Sequence, residues 1–105
     1  ASPNLQVILD PVNLLHGSNL NRKEHLLREA VDLLMDDIAV VHAKDYVQDQ
    51  GQIIELAPGQ GIMNYKPLFS DLKKHKPYLD ITLECTEPDN AKAAFEHIRN
   101  AWEEA

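Results

Sequence analysis

Three short apolar segments, each followed by an acidic or imidazole side chain, constrain the fold more than any other feature of the sequence. The segments with their terminal residues are 4–9 with Asp10, 38–41 with His42, and 79–83 with Glu84. Short apolar runs with β-branched residues and polar boundaries are typical of buried parallel strands. The sequence therefore predicts three strands that each deliver a metal ligand or an acid/base group at the carboxyl end.

Helical patterns separate these strands. The first helix is expected from about Asn21, with Asn21 as N-cap and Glu24 as its capping-box partner. The second is expected over residues 65–75. The third is expected after a Thr86 cap, with one apolar stripe of Ala91, Ala94, Phe95, Ile98 and Trp102. Residues 45–63 are predicted to form a long irregular stretch with one extended piece at 52–56. Alternating strands and helices predict an α/β fold with a parallel sheet.

The alternation of side chains along the strands sorts their residues into two faces. One face is wholly apolar and suits contact with helices: Leu5, Val7, Leu9, Ala39, Val41, Leu79, Ile81 and Leu83. The other face is mixed and ends in the three candidate ligands: Gln6, Ile8, Asp10, Ile38, Val40, His42, Asp80, Thr82 and Glu84. A mixed face with functional groups at the carboxyl ends is expected inside a (β/α) barrel. The barrel is favoured over an open doubly wound sheet, which stays an alternative.

Size and charge exclude several classes of function. The chain has 105 residues, with 17 acidic and 10 basic side chains and a formal net charge of -7. This charge argues against nucleic acid as a partner. No apolar run reaches the length of a membrane span, so no membrane partner is expected. The single cysteine, Cys85, excludes an internal disulfide, and the cytoplasm is the expected compartment.

An ordered set of motifs carries a family resemblance. The motifs are residues 8–14 (ILDPVNL), 41–45 (VHAKD), 59–61 (GQG) and 83–84 (LE). In this order they resemble the last part of a sugar phosphate isomerase/epimerase of the xylose isomerase-like TIM-barrel superfamily, the group of inosose dehydratase and the ketose 3-epimerases. The resemblance implies that residues 1–105 are a C-terminal fragment: three βα units, strands six to eight of a (β/α)8 barrel, forming a partial barrel.

The resemblance also implies a site. It assigns a divalent metal (Mn, Mg, Co or Zn) to Asp10, His42 and Glu84, and substrate contacts to Asn13, Lys44 and Asp45. A further glutamate ligand would come from an earlier strand. The implied reaction is proton abstraction alpha to the carbonyl of a sugar or polyol substrate, with Glu84 as both ligand and general acid/base.

Several alternatives stay open. A 105-residue fragment that lacks one ligand is expected to be inactive and to hold no metal, and to form a homo-oligomer through its exposed strand edges. An endonuclease IV-like phosphodiesterase would need a ligand histidine where Asn13 stands and an aspartate-histidine pair before Gly59. The sequence contains neither of these features. A non-catalytic dimeric α/β module is the third hypothesis. Taken singly, Asp10 could be a turn opener, His42 a core histidine and Glu84 a helix cap.

Overall fold

The computed structural model describes residues 5–105, so the predicted start of the first strand at Asn4 lies outside the described residues. The elements are β1 Val7–Leu9, α1 Lys23–Leu34, β2 Ile38–Ala43, β3 Asp45–Asp49, β4 Gln52–Leu56, α2 Lys66–His75, β5 Asp80–Leu83 and α3 Ala91–Glu104. Short 3-10 turns at Val12–Leu14, Leu20–Arg22 and Met35–Asp37 connect some of them.

The central element is a three-stranded parallel sheet in the order β1-β2-β5. Leu9 pairs with Val41 on one side of β2, and Ala43 pairs with Leu83 on the other. All three strands therefore end at the same edge of the sheet. The predicted α/β fold with a parallel sheet is confirmed, and among residues 5–105 no helix is long and apolar enough to cross a membrane.

The two faces of the sheet differ as the alternation predicts. Leu9 and Val41 are buried and belong to one core with helix residues such as Phe69 and Ile98. On the mixed face, Ile8 is 59% exposed. Two residues depart from the prediction: Leu5, assigned to the apolar face, is 72% exposed, and Ile38, assigned to the mixed face, is buried in the core. Ile38 is the first residue of β2, directly after the Met35–Asp37 turn, and the regular alternation starts only near Val41.

The stretch predicted to be irregular, residues 45–63, contains a β-hairpin. Strands β3 and β4 pair antiparallel, with Asp49 opposite Gln52. The two turn residues, Gln50 and Gly51, both have positive φ, of 51° and 81°. A two-residue turn of this kind matches the twist of antiparallel strands, so it closes a hairpin. The predicted extended piece at 52–56 is confirmed as β4.

Two predicted helix caps are wrong. Asn21 lies inside the Leu20–Arg22 turn, and α1 begins at Lys23 without a side-chain cap. Thr86 does not cap α3, which begins at Ala91. The residues before α3 form a turn of their own, in which the backbone N–H of Glu87 donates to Oδ1 of Asn90 over 2.7 Å. This local hydrogen bond delays the start of the helix. The predicted second helix is confirmed to within one residue, with Pro67 in its first turn.

The apolar stripe predicted on the last helix is also partly wrong. Ala94 and Ile98 are buried as expected, but Phe95 is 54% exposed. Ala101 is buried instead and completes the contact face. Trp102 still reaches the core, where its ring packs edge-on against Phe69 with centroids 5.4 Å apart.

Candidate metal centre

Three predicted ligands meet where the parallel strands end. Asp10 follows β1, His42 lies near the end of β2, and Glu84 follows β5. The backbone N–H of Glu84 donates to the carbonyl of Ala43 over 2.9 Å, which extends the strand ladder to the ligand. One ligand atom from each of Asp10, His42 and Glu84 lies within 4.8 Å of the others. Ligand bonds of about 2.0–2.4 Å would allow a single ion to reach all three atoms after small side-chain adjustments.

Hydrogen bonds orient two of these ligands. The backbone N–H of Asn13, in the turn that Pro11 opens, donates to Oδ1 of Asp10 over 3.2 Å. Nδ1 of His42 lies 2.6 Å from Oε1 of Glu84. A proton on Nδ1 joins the two side chains, and a divalent ion would replace that proton between Nδ1 and the carboxylates.

The ammonium of Lys44 lies within the same cluster. Its Nζ is 2.6 Å from Oε2 of Glu55, 2.8 Å from Oδ1 of Asn13, 3.2 Å from Oδ2 of Asp10 and 3.8 Å from Oε2 of Glu84. Burial alone would lower the pKa of Lys44. The hydrogen bonds with Glu55 and Asp10 outweigh burial and raise that pKa above the ordinary lysine value. Lys44 is therefore a charged donor inside the site.

The charges and donor atoms of the cluster fit a divalent cation. The carboxylates of Asp10, Glu55 and Glu84 carry three formal negative charges, and Lys44 carries one positive charge, which leaves -2. A divalent ion would bring this sum to zero. Two carboxylates with one imidazole suit Mn, Mg, Co or Zn. Asp10, His42 and Glu84 are thus the residues that could hold the metal.

A buried tyrosine fixes the backbone that presents Lys44. The hydroxyl of Tyr65 accepts a hydrogen bond from the N–H of Lys44 over 3.0 Å and donates one to the carbonyl of Lys44 over 2.6 Å. Burial raises the pKa of Tyr65 well above the ordinary tyrosine value, despite the opposing hydrogen bond to the Lys44 backbone. The hydroxyl therefore stays protonated and able to donate. The backbone of Lys44, between β2 and β3, is therefore held in one place.

Asp45 differs from the other five predicted site residues. It is 1% exposed, and its carboxylate accepts hydrogen bonds from the backbone N–H groups of Tyr46, Gly59 and Met63 over 2.8–2.9 Å. Within the described part of the chain, no hydrogen bond or ion pair joins this carboxylate to the ligand cluster. The structure brings Asp10, Asn13, His42, Lys44 and Glu84 together and places the Asp45 side chain in the supporting loop.

Among residues 5–105, Glu55 is the one charged neighbour of the cluster that the sequence patterns did not single out. It lies on β4 and pairs across the hairpin with Tyr46, two residues after Lys44. The sequence feature that could have indicated the position of Glu55 is the Gln50-Gly51 turn between two extended segments. That turn predicts a hairpin, and the hairpin register returns Glu55 to the end of β2.

The comparison with known families agrees with this geometry. A profile of the xylose isomerase-like TIM barrel matches residues 1–101. No curated protein and no solved structure shows significant similarity to the chain. With three strand-end ligands at one edge of a parallel sheet and a match over nearly its whole length, the chain belongs to the xylose isomerase-like TIM barrel family.

Proposed function

We propose that the chain is part of a divalent-metal-dependent enzyme that isomerises, epimerises or dehydrates a sugar, sugar phosphate or polyol by removing a proton alpha to a carbonyl. The observation that carries the proposal is the convergence of Asp10, His42 and Glu84 within 4.8 Å at the ends of three parallel strands. The family contains sugar isomerases and epimerases as well as endonuclease IV. The residues around the ligands favour the sugar chemistry.

Each residue has a role that its contacts support. Asp10 and His42 would hold the metal together with Glu84, and the ion would supply polarisation of the hydroxyl and carbonyl oxygens of the substrate. Glu84 is a ligand whose carboxylate also removes or returns the proton on carbon. Lys44 donates hydrogen bonds to a substrate oxygen, and Asn13 orients its ammonium through the 2.8 Å contact.

The alternative phosphodiesterase is less well supported. Asn13 occupies the position where that activity needs a ligand histidine. Its Oδ1 accepts a hydrogen bond from the ammonium of Lys44. The net charge of -7 also opposes approach to a nucleic acid backbone.

We propose further that the chain supplies the C-terminal strands six to eight of the barrel. Support comes from the sheet itself. Ile8 is 59% exposed on the face that would line the barrel, and within the described part of the chain β1 and β5 each pair with one neighbour only. The remaining strands would cover this face and add the missing glutamate ligand. Alone, the chain would be inactive and would pair its open edges with a second copy. The proposed compartment is the cytoplasm.

Hydrogen exchange on the substrate tests the proposed chemistry. The enzyme encoded by the complete reading frame is incubated with Mn²⁺ and keto sugars in D₂O, and loss of the proton signal alpha to the carbonyl is followed by NMR. We expect exchange in the wild type and a decrease of about 100-fold or more in Glu84→Gln. The control is Glu87→Gln, an exposed glutamate nearby. Exchange that continues without metal, or that is equal in both variants, contradicts the proposal.

A further inference from the structure

Glu55 is the closest charged partner of the Lys44 ammonium. The Nζ atom lies 2.6 Å from Glu55, compared with 3.2 Å from Asp10 and 3.8 Å from Glu84. The latter two carboxylates are the proposed metal ligands. A buried ammonium beside them competes with a divalent cation for the same oxygens. The distance from the Lys44 ammonium to Asp10 and Glu84 therefore affects the metal affinity of the site.

The geometry of the β3–β4 hairpin places Glu55 beside the Lys44 ammonium. In the β3–β4 register Glu55 lies opposite Tyr46, which is fully buried. The loop after β1 contacts the hairpin turn so closely that the carbonyl oxygen of Gly51 leaves no room for a Cβ on Gly17. The side chain of Glu55 is 44% exposed, whereas that of Lys44 is only 5% exposed. Glu55 thus approaches the Lys44 ammonium from the solvent side.

We infer that Glu55 is a positioning residue of the metal centre. Its carboxylate draws the Lys44 ammonium away from Asp10 and Glu84, so that their oxygens stay available to a divalent cation. Without the Glu55 charge, Lys44 would move closer to Asp10, which it already contacts at 3.2 Å, and to Glu84, and would hinder metal binding. This inference rests on the metal site of the proposed function. It adds a residue, outside the ligand set, that controls metal affinity through Lys44.

Manganese affinity of the enzyme encoded by the complete reading frame, which supplies the further glutamate ligand, tests the inference. Free Mn²⁺ is measured by its EPR signal during titration of the wild type, Glu55→Gln and Glu103→Gln. Glu103 is an exposed residue of α3, so its substitution changes the net charge equally. We expect the Kd for Mn²⁺ to rise about fivefold or more in Glu55→Gln, which corresponds to about 1 kcal/mol. In Glu103→Gln it should stay within about twofold of the wild type, because salt screens a distant surface charge.

Two further variants separate positioning from a simple charge effect. In a Lys44→Met background, Glu55→Gln should change the Kd by less than about twofold, because the ammonium that Glu55 holds is gone. Glu55→Asp keeps the charge but shortens the reach to Nζ, so it should weaken Mn²⁺ binding even when Lys44 is untouched. This variant decides the question if Lys44→Met does not fold.

Each result has one meaning. A wild type that binds Mn²⁺ while Glu55→Gln behaves like Glu103→Gln overturns the role of Glu55 and leaves the metal site standing. An effect of Glu55→Gln that persists in Lys44→Met, or an Asp variant equal to the wild type, shows that Glu55 acts by its charge alone and also overturns the inference. A wild type that binds no Mn²⁺ overturns the proposed metal site together with the role of Glu55.

Discussion

The substitution Asp45→Asn probes the loop that supports the candidate site. The Asp45 carboxylate accepts three backbone N–H groups, those of Tyr46 and Met63 at Oδ1 and that of Gly59 at Oδ2. An asparagine can keep the first two hydrogen bonds with its carbonyl oxygen. Its NH₂ group then faces the N–H of Gly59, and two donors cannot form a hydrogen bond.

The expected cost follows from these contacts. A hydrogen bond to a charged acceptor contributes about 1.5–3 kcal/mol, and a neutral one about 0.5–1.5 kcal/mol. Asp45→Asn loses one charged-acceptor bond and weakens two others, so the free energy of unfolding should fall by about 3 kcal/mol. A domain of this size has about 5–15 kcal/mol in total. The variant should therefore still fold, with a much lower urea midpoint.

Urea denaturation followed by circular dichroism measures this effect. The matched control is Asp49→Asn, since Asp49 is exposed at the far end of β3 and its substitution should cost less than about 0.5 kcal/mol. Amide exchange should also become faster around Gly59 and Met63. A loss below about 1 kcal/mol for Asp45→Asn would refute the reasoning, because it would mean that the three hydrogen bonds contribute little.

Three other predictions concern the site backbone, the hairpin and the open sheet. Tyr65→Phe removes both hydrogen bonds to Lys44 and should cost about 1–3 kcal/mol in urea denaturation; a loss no larger than that of exposed Tyr78→Phe contradicts this. Gly17→Ala should speed amide exchange at Gly51, because the new Cβ forces the loops apart; unchanged exchange contradicts this. Light scattering should give the mass of a homo-oligomer that Ile8→Lys weakens, whereas a wild-type monomer excludes pairing through the sheet.

The main features of the fold could be predicted because they depend on patterns within single segments. Apolar strands that end in Asp10, His42 and Glu84 need only the alternation of side chains and the rule that parallel strands end at one edge. The helix at 66–75 follows from an apolar face with proline in the first turn. The parallel register then brought the three ligands within 4.8 Å.

The remaining features depend on contacts between distant segments. The carboxylate of Asp45 turns to the backbone of residues 59–63, which no local pattern indicates. Glu55 reaches Lys44 only through the hairpin register. The caps expected at Asn21 and Thr86 failed because neighbouring turns satisfied the backbone in other ways. Sequence patterns identified the strand ends, whereas the groups that support them needed the three-dimensional structure.

The most direct test of the metal centre is the electron spin echo of Mn²⁺ bound to the enzyme encoded by the complete reading frame. Our account predicts one bound ion per polypeptide with a ¹⁴N modulation from imidazole, which disappears in His42→Asn and persists in His25→Asn. His25 is an exposed residue of α1, away from the three ligands. A modulation that survives in His42→Asn, or a wild-type enzyme that binds no Mn²⁺, would contradict the assignment of Asp10, His42 and Glu84 as a metal site.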